Sequence, residues 1–227
     1  MRILNDPRLE ALLDRLHAQS SAQNEALMHF FVQRMRDGDL DWRQFDAKTD
    51  QFMRDKFVAL DRDKAELCYT LCRALRARRV VEAGTSFGVS TLYLAAAVRD
   101  NLRDDGGSGH VVGTEYEPEK AKIARGHFAE AGLADWIDLR EGDLRESLKS
   151  IDGPIDFMLI DIWTPMSRPA LELVAPHLRR GAIVMCDNTT QFREPYKDYF
   201  EFVNDPKHEL RTLTLPFEGG LELTVRG

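Results

Sequence analysis

The stretch from Arg79 to Ser90 constrains this chain more than any other. It reads as a buried strand ending in an acid, Glu82, then a glycine-bearing turn, then the start of a helix. Gly84 and Gly88 let backbone pass close to a ligand, and Ser90 opens a helix whose free N–H groups face the same crevice. That crevice is where an open α/β sheet holds a nucleotide-like cofactor. The spacing is G-x-x-x-G and not G-x-G-x-x-G, so no glycine is placed to admit a pyrophosphate. Glu82 would repel a diphosphate in any case; a carboxylate there suits a cationic ligand.

The surrounding pattern supports a sheet protein of this kind. Residues 1 to about 75 read as helical, with Leu9, Leu12, Leu13 and Leu16 at helical spacing, and then Leu27, Phe30, Phe31 and Met35. A further helix, from Asp63 to Arg76, leads into the first strand. This prefix is expected to cap the crevice, form a dimer surface or simply pack as helices. From residue 76 onward strand and helix alternate. Strands are predicted at Val80–Ala83, His110–Thr114, Ile137–Arg140, Ile155–Ile160 and Ala182–Cys186. Helices are predicted at Val89–Val98, Glu117–Gly132 and Pro169–Leu178. Such a rhythm gives a doubly wound, mostly parallel sheet. The end differs: Glu209–Leu215 and Leu221–Arg226 flank Pro216 to Gly220, a hairpin signal, so an antiparallel pair closes the sheet.

Composition narrows the function classes. A net charge of −7 argues against non-specific nucleic-acid binding, which needs clustered Lys and Arg. Asp6, Arg8, Glu10, Asp14 and Arg15 interrupt any signal-peptide or membrane-spanning pattern at the start, so a cytoplasmic protein with no membrane or nucleic-acid partner is expected. Cys68, Cys72 and Cys186 are odd in number and read as buried thiols.

Ligands sit beyond the carboxyl ends of parallel strands, so the residues after each strand carry the chemistry. The first strand offers Glu82, Gly84, Ser86, Gly88 and Ser90. The second ends at Glu115, where an acid accepts both hydroxyls of a ribose. The third gives Gly142 and Asp143, near an adenine. The fourth gives Asp161, Ile162 and Trp163, and the fifth Asp187 and Asn188. Any one of these acids alone is more often a helix cap or a solvated loop residue; five strand ends in register are a stronger signal. The ammonium and sulfonium of S-adenosylmethionine match the acidic first turn, so a methyl donor is expected rather than a nicotinamide. Asp161, Asp187 and Asn188 together make a hard-oxygen set suited to Mg²⁺, and also to Mn²⁺ or Ca²⁺.

On Val81 to Ser90, Gly113-Thr114-Glu115, Arg140 to Asp143, Asp161-Ile162-Trp163, Cys186-Asp187-Asn188 and the closing Gly219 to Leu223, the chain resembles the class I S-adenosylmethionine-dependent O-methyltransferases of catechol and caffeoyl-CoA type. The resemblance covers roughly residues 60 to 227. It implies a seven-stranded Rossmann-like methyltransferase sheet and a homodimer. It implies cofactor contacts from Glu82, Gly84, Ser86, Gly88, Ser90, Glu115, Asp143, Asp161 and Trp163, and a catalytic divalent metal on Asp161, Asp187 and Asn188. The acceptor it implies is a small phenol or catechol.

One position departs from that family. Where the catechol enzymes carry a general-base lysine after the D-x-W run, this chain has Thr164, which cannot act as a base near neutral pH. Nor does the chain show a clear match for the late acidic residue those enzymes use to hold the second hydroxyl. Lys197 and His208 are the remaining candidates for a base, and each also reads as a surface residue. Two alternatives therefore stand beside metal-assisted O-methylation: a metal-independent small-molecule methyltransferase, and a non-catalytic S-adenosylmethionine-binding protein. A nicotinamide oxidoreductase is disfavoured by the glycine spacing and by Glu115 lying 31 residues after Gly84, against the usual ~20.

Overall fold

In the computed structural model, which describes residues 3–44 and 46–227, strand alternation sorts the apolar side chains onto two faces of one sheet. The strands are β1 (Arg79–Ala83), β2 (His110–Glu115), β3 (Ile137–Glu141), β4 (Ile155–Ile160), β5 (Leu178–Asp187), β6 (Leu210–Leu215) and β7 (Leu221–Arg226). They lie in the order β3-β2-β1-β4-β5-β7-β6, with only β7 running antiparallel to its neighbours. This is the predicted seven-stranded Rossmann-like sheet with a C-terminal hairpin.

One face carries Val80, Phe157, Leu159, Ile183 and Met185. It packs against the helices α1 (Pro7–Ser21), α4 (Arg62–Ala74), α5 (Val89–Asp105) and α6 (Pro118–Ala131). The opposite face carries Val81, Ala83, Met158, Ile160, Val184 and Cys186, and is covered by α7 (Leu144–Ser147), α8 (Thr164–Val174) and α9 (Lys197–Asn204). Leu9, Leu12, Leu13 and Leu16 of α1 join the same core as Leu92 and Leu94 of α5, so much of the N-terminal segment is ordinary helical packing.

The next two helices differ. On α2 (Asn24–Asp37) only Arg34 is buried, and the apolar stripe predicted there is incomplete, because Met35 is 64% exposed. Arg34 pairs with Asp39 and Asp46 and hydrogen-bonds Thr49, stitching α2 to α3 (Ala47–Met53) through the intervening loop. Phe30 stacks on Phe52 at 3.7 Å between ring centres, so the pair is held by aromatic packing as well as charge.

Several boundaries shifted from the sequence reading, among them the end of α5, which runs to Asp105 and not Val98. Helix α8 begins at Thr164, five residues before the predicted Pro169, because Pro165 occupies its first turn, where a missing N–H costs nothing. Strand β5 begins at Leu178, where the helix was expected to end. All three cysteines are buried free thiols, as predicted. Among the described residues no helix is long and apolar enough to cross a membrane.

Candidate active site

Strand order reverses between β1 and β4, and the crevice opens there. The turn after β1 runs through left-handed conformations at Gly84 (φ 99°), Ser86 (φ 49°) and Gly88 (φ 85°). Both glycines also serve neighbouring elements. A Cβ on Gly84 would lie 2.0 Å from the carbonyl oxygen of Asp161, and one on Gly88 would lie 2.4 Å from the Phe128 ring. The turn is thus pressed against β4 on one side and α6 on the other. On its Cβ side, Gly88 lies against Phe128.

Glu82 is completely buried, and its environment corrects the expectation that it faces a cationic ligand. Its carboxylate accepts hydrogen bonds from Thr85 Oγ1 (2.8 Å), Ser90 Oγ (2.6 Å) and Thr91 Oγ1. Burial pushes its pKa up, and the three hydroxyls only partly offset that. Gly113 on β2 makes room for this cluster, since a Cβ there would meet Thr85 Oγ1 at 2.5 Å. Ser90 likewise turns its hydroxyl inward to Glu82 and away from the crevice.

Glu115 and Asp143 stand at their predicted strand ends with partners of their own. Glu115 accepts from the backbone N–H of Ser86 (2.7 Å) and of Glu117 (2.8 Å), which fixes its carboxylate beside the glycine turn. Asp143 caps α7 and forms an ion pair with Arg145 at 2.6 Å, whose hydrogen bonds hold its carboxyl below the usual range.

The fourth and fifth strand ends come together as predicted. Ile160 and Cys186 are register partners, so the next residues, Asp161 and Asp187, end adjacent strands side by side. Burial and then the charge of Asp187 raise the Asp161 carboxyl well above the ordinary carboxylate range. Asp187 is also raised, chiefly by burial. Asn188, in the left-handed region (φ 60°), donates from Nδ2 to Asp187 Oδ2 at 3.1 Å. Its conformation is set by the β6–β7 turn: Thr190 and Gln191 donate backbone N–H groups to the Gly219 carbonyl, and a Cβ on Gly219 would meet Asn188 Oδ1 at 2.8 Å.

The sequence reading missed Lys64. It lies in the first turn of α4, is 1% exposed, and places its ammonium 2.8 Å from Asp187 Oδ1 and 2.9 Å from Asp61 Oδ2. Burial works against its charge, but Asp187 and Asp61 outweigh this and raise its pKa. The signal was available: a lysine on the same helix face as Ala65, Cys68 and Cys72 needs a buried acid.

An aromatic wall rises beside the acid pair. Trp42, from the α2–α3 loop, lies 6.1 Å from Trp163 and 4.3 Å from Phe192, measured between ring centres. Thr164, at the position of the family lysine, donates its hydroxyl to the Trp42 carbonyl. Tyr196 and Tyr199 are buried at the start of α9 and along it. Lys197 is exposed, and His208 stacks on Phe202 at 3.7 Å.

A methyltransferase-domain family profile matches residues 81–189, which contain the glycine turn, Glu115, Asp143 and the acid pair. Catechol O-methyltransferase from Mycobacterium tuberculosis is 33% identical over 132 residues, 58% of this chain and 57% of that protein. Over the matched part the chain is therefore similar to methyltransferases, the catechol O-methyltransferases among them. A second catechol O-methyltransferase, from Niastella koreensis, is 26% identical over 59% of the chain and 64% of its own length. The matched part thus spans little more than half the length of these curated relatives. The fold of the chain is shared with an O-methyltransferase from Bacillus cereus crystallised in complex with SAH. That likeness has a TM-score of 0.65 at 21% identity, covering 74% of this chain and 83% of the other.

By residue type alone, the set at these two strand ends is the kind that suits a hard divalent cation. Asp161, Asp187 and Asn188 offer two carboxylates and an amide oxygen, and among the described residues no side chain is seen to donate to the Asp161 carboxylate. No three His, Cys, Asp or Glu side chains converge among the described residues, so the set depends on Asn188 as its third member.

Proposed function

We propose that this protein transfers a methyl group from S-adenosylmethionine to a hydroxyl of a small phenolic or catechol-like acceptor, with a divalent cation, Mg²⁺ or a close analogue, held by Asp161, Asp187 and Asn188. The observation that carries this reading is Asp161, a raised carboxylate lacking a donor, beside Asp187 and near the aromatic Trp163. The names of the curated relatives support the acceptor class.

The residues divide the work. Glu115 reaches the ribose hydroxyls, and Gly84 and Ser86 shape the turn under the methionine part. Asp143 exchanges Arg145 for the adenine. Glu82 and Ser90 act from below by bracing that turn and the first turn of α5. Trp42, Trp163 and Phe192 orient a flat acceptor, which brings its oxygen into line with the methyl group and lowers the entropic part of the barrier. A divalent cation, when bound, favours the ionised form of a phenol whose free pKa is near 10. Thr164 supplies no base, so the chain relies on orientation and on that shift in acidity. General-base help is typically worth about 10²–10⁴-fold, so its absence slows turnover without abolishing it.

A second reading is favoured by one specific contact: the Lys64 ammonium already meets Asp187. In that case the acids would be structural and methylation metal-independent. Incubation with S-adenosylmethionine, Mg²⁺ and a panel of catechols and other phenols, with and without EDTA, separates the two. S-adenosylhomocysteine formation that EDTA stops supports the metal-assisted reading. Formation that survives EDTA supports the second. Cofactor binding without turnover on any acceptor would point to a non-catalytic binding protein.

A further inference from the structure

We propose that Lys64 is a positioning residue that serves as a built-in counter-cation for the Asp161–Asp187 pair and thereby sets how weakly the site takes a divalent ion. The inference rests on the cation reading given above.

Three observations point to it. The Lys64 side chain is 2% exposed and spans from Asp61, 58% exposed at the surface, to Asp187, 6% exposed at the strand end. An ammonium so placed is held between two charges: burial closes off water, and each carboxylate lies at ion-pair distance. Both Asp187 oxygens have a neighbour, Oδ1 in the ion pair with Lys64 and Oδ2 accepting from the Asn188 amide. Asp161, by contrast, gains only the through-space field of Lys64 and faces the like charge of Asp187.

The consequence follows from charge. One buried positive charge keeps two neighbouring acids assembled when no ion is bound, so the site does not depend on metal for its shape. The same charge repels an incoming divalent ion and holds one oxygen that the ion would otherwise use. A site built this way binds its ion weakly and exchangeably. Removing the lysine charge, while filling its space, should make the bare acids a stronger trap and a less stable apo protein.

The test is Mn²⁺ binding to the full chain, without S-adenosylmethionine, followed by electron paramagnetic resonance and by calorimetry. Lys64→Met and Lys64→Gln are expected to bind Mn²⁺ at least about tenfold more tightly than wild type, while Lys64→Arg stays within about twofold. Mg²⁺ should raise the melting temperature of both neutral variants more than that of wild type. Lys64→Gln keeps a hydrogen-bond donor for Asp187 and guards against misfolding of the methionine variant. If wild type binds Mn²⁺ and the neutral variants bind it no more tightly, the counter-cation role is wrong and the metal reading stands. If wild type and every variant fail to bind Mn²⁺, both ideas fall.

Discussion

Two carboxylates in this chain, Glu82 buried and Asp161 half-buried, illustrate opposite ways of meeting the cost of a desolvated charge. Glu82 is surrounded by hydroxyl donors, and the result is a brace for the turn that follows β1. Thr91→Val would delete one of those donors from a fully buried acid and is expected to cost about 1–3 kcal/mol, read as a lower urea midpoint with unchanged slope. An unmoved midpoint would mean that Thr85 and Ser90 suffice. Among the described residues no side chain donates to Asp161, and it sits beside a like charge. Asp161→Asn is therefore expected to stabilise the ion-free protein by about 1 kcal/mol, a melting-temperature rise of about 2–4 °C at this size. The same substitution should abolish EDTA-sensitive turnover while S-adenosylmethionine still binds in calorimetry. Stability bought at the expense of activity marks a functional site; a loss of both would make Asp161 structural.

Between elements, positions are set by contacts that cross large sequence distances. The β6–β7 turn fits under the loop after β5: Gly219 lies against Asn188, and a Cβ on Gly220 would come 1.9 Å from Thr190 Oγ1 at a φ of 80°. Gly220→Ala is expected to displace that loop, lowering Mn²⁺ affinity and turnover together. A variant with wild-type affinity would show that the loop absorbs the clash. Thr164→Val would free the Trp42 carbonyl and loosen the aromatic wall, raising KM for a flat acceptor with little change in kcat; an unchanged KM would sever Thr164 from acceptor binding. Such contacts explain what the sequence could reveal and what it could not. The strand ends at Asp161 and Asp187 were legible because parallel register follows from strand pattern, and the closing hairpin was legible from Pro216 to Gly220. The inward turn of Ser90 was not, since the same residue type opens a helix toward solvent or donates to a buried acid. Lys64 and Trp42 stand 123 and 121 positions before the residues they touch, Asp187 and Trp163, and no local pattern links them.

At the scale of the whole molecule, the N-terminal helices are bound into the core, and one titratable pair tests how tightly. His17 on α1 lies 3.2 Å from the hydroxyl of the buried Tyr93 on α5. Burial, and next the positive charge of Arg62, lowers its pKa from the ordinary 6.5 to about 4. Between those values the unfolded chain binds a proton that the folded chain refuses. The contribution of His17 to stability is therefore complete above about pH 6.5 and lost as pH falls toward 4, by at most about 3 kcal/mol. Glu82, Asp161 and Asp187 have raised pKa values and work the other way, because the folded protein protonates them first as pH falls. A bare stability profile would mix the two. The difference between wild type and His17→Phe cancels the carboxylates, which both proteins share. That difference, from urea unfolding at pH 7.5 and pH 4.5, is expected to shift by about 1–2 kcal/mol, solvent screening of a half-buried ring included, in favour of the phenylalanine variant at the lower pH. A flat difference would show that His17 accepts its proton in place, which requires α1 to stand away from α5 and the N-terminal helices to be held to the sheet by less than the shared leucine core suggests.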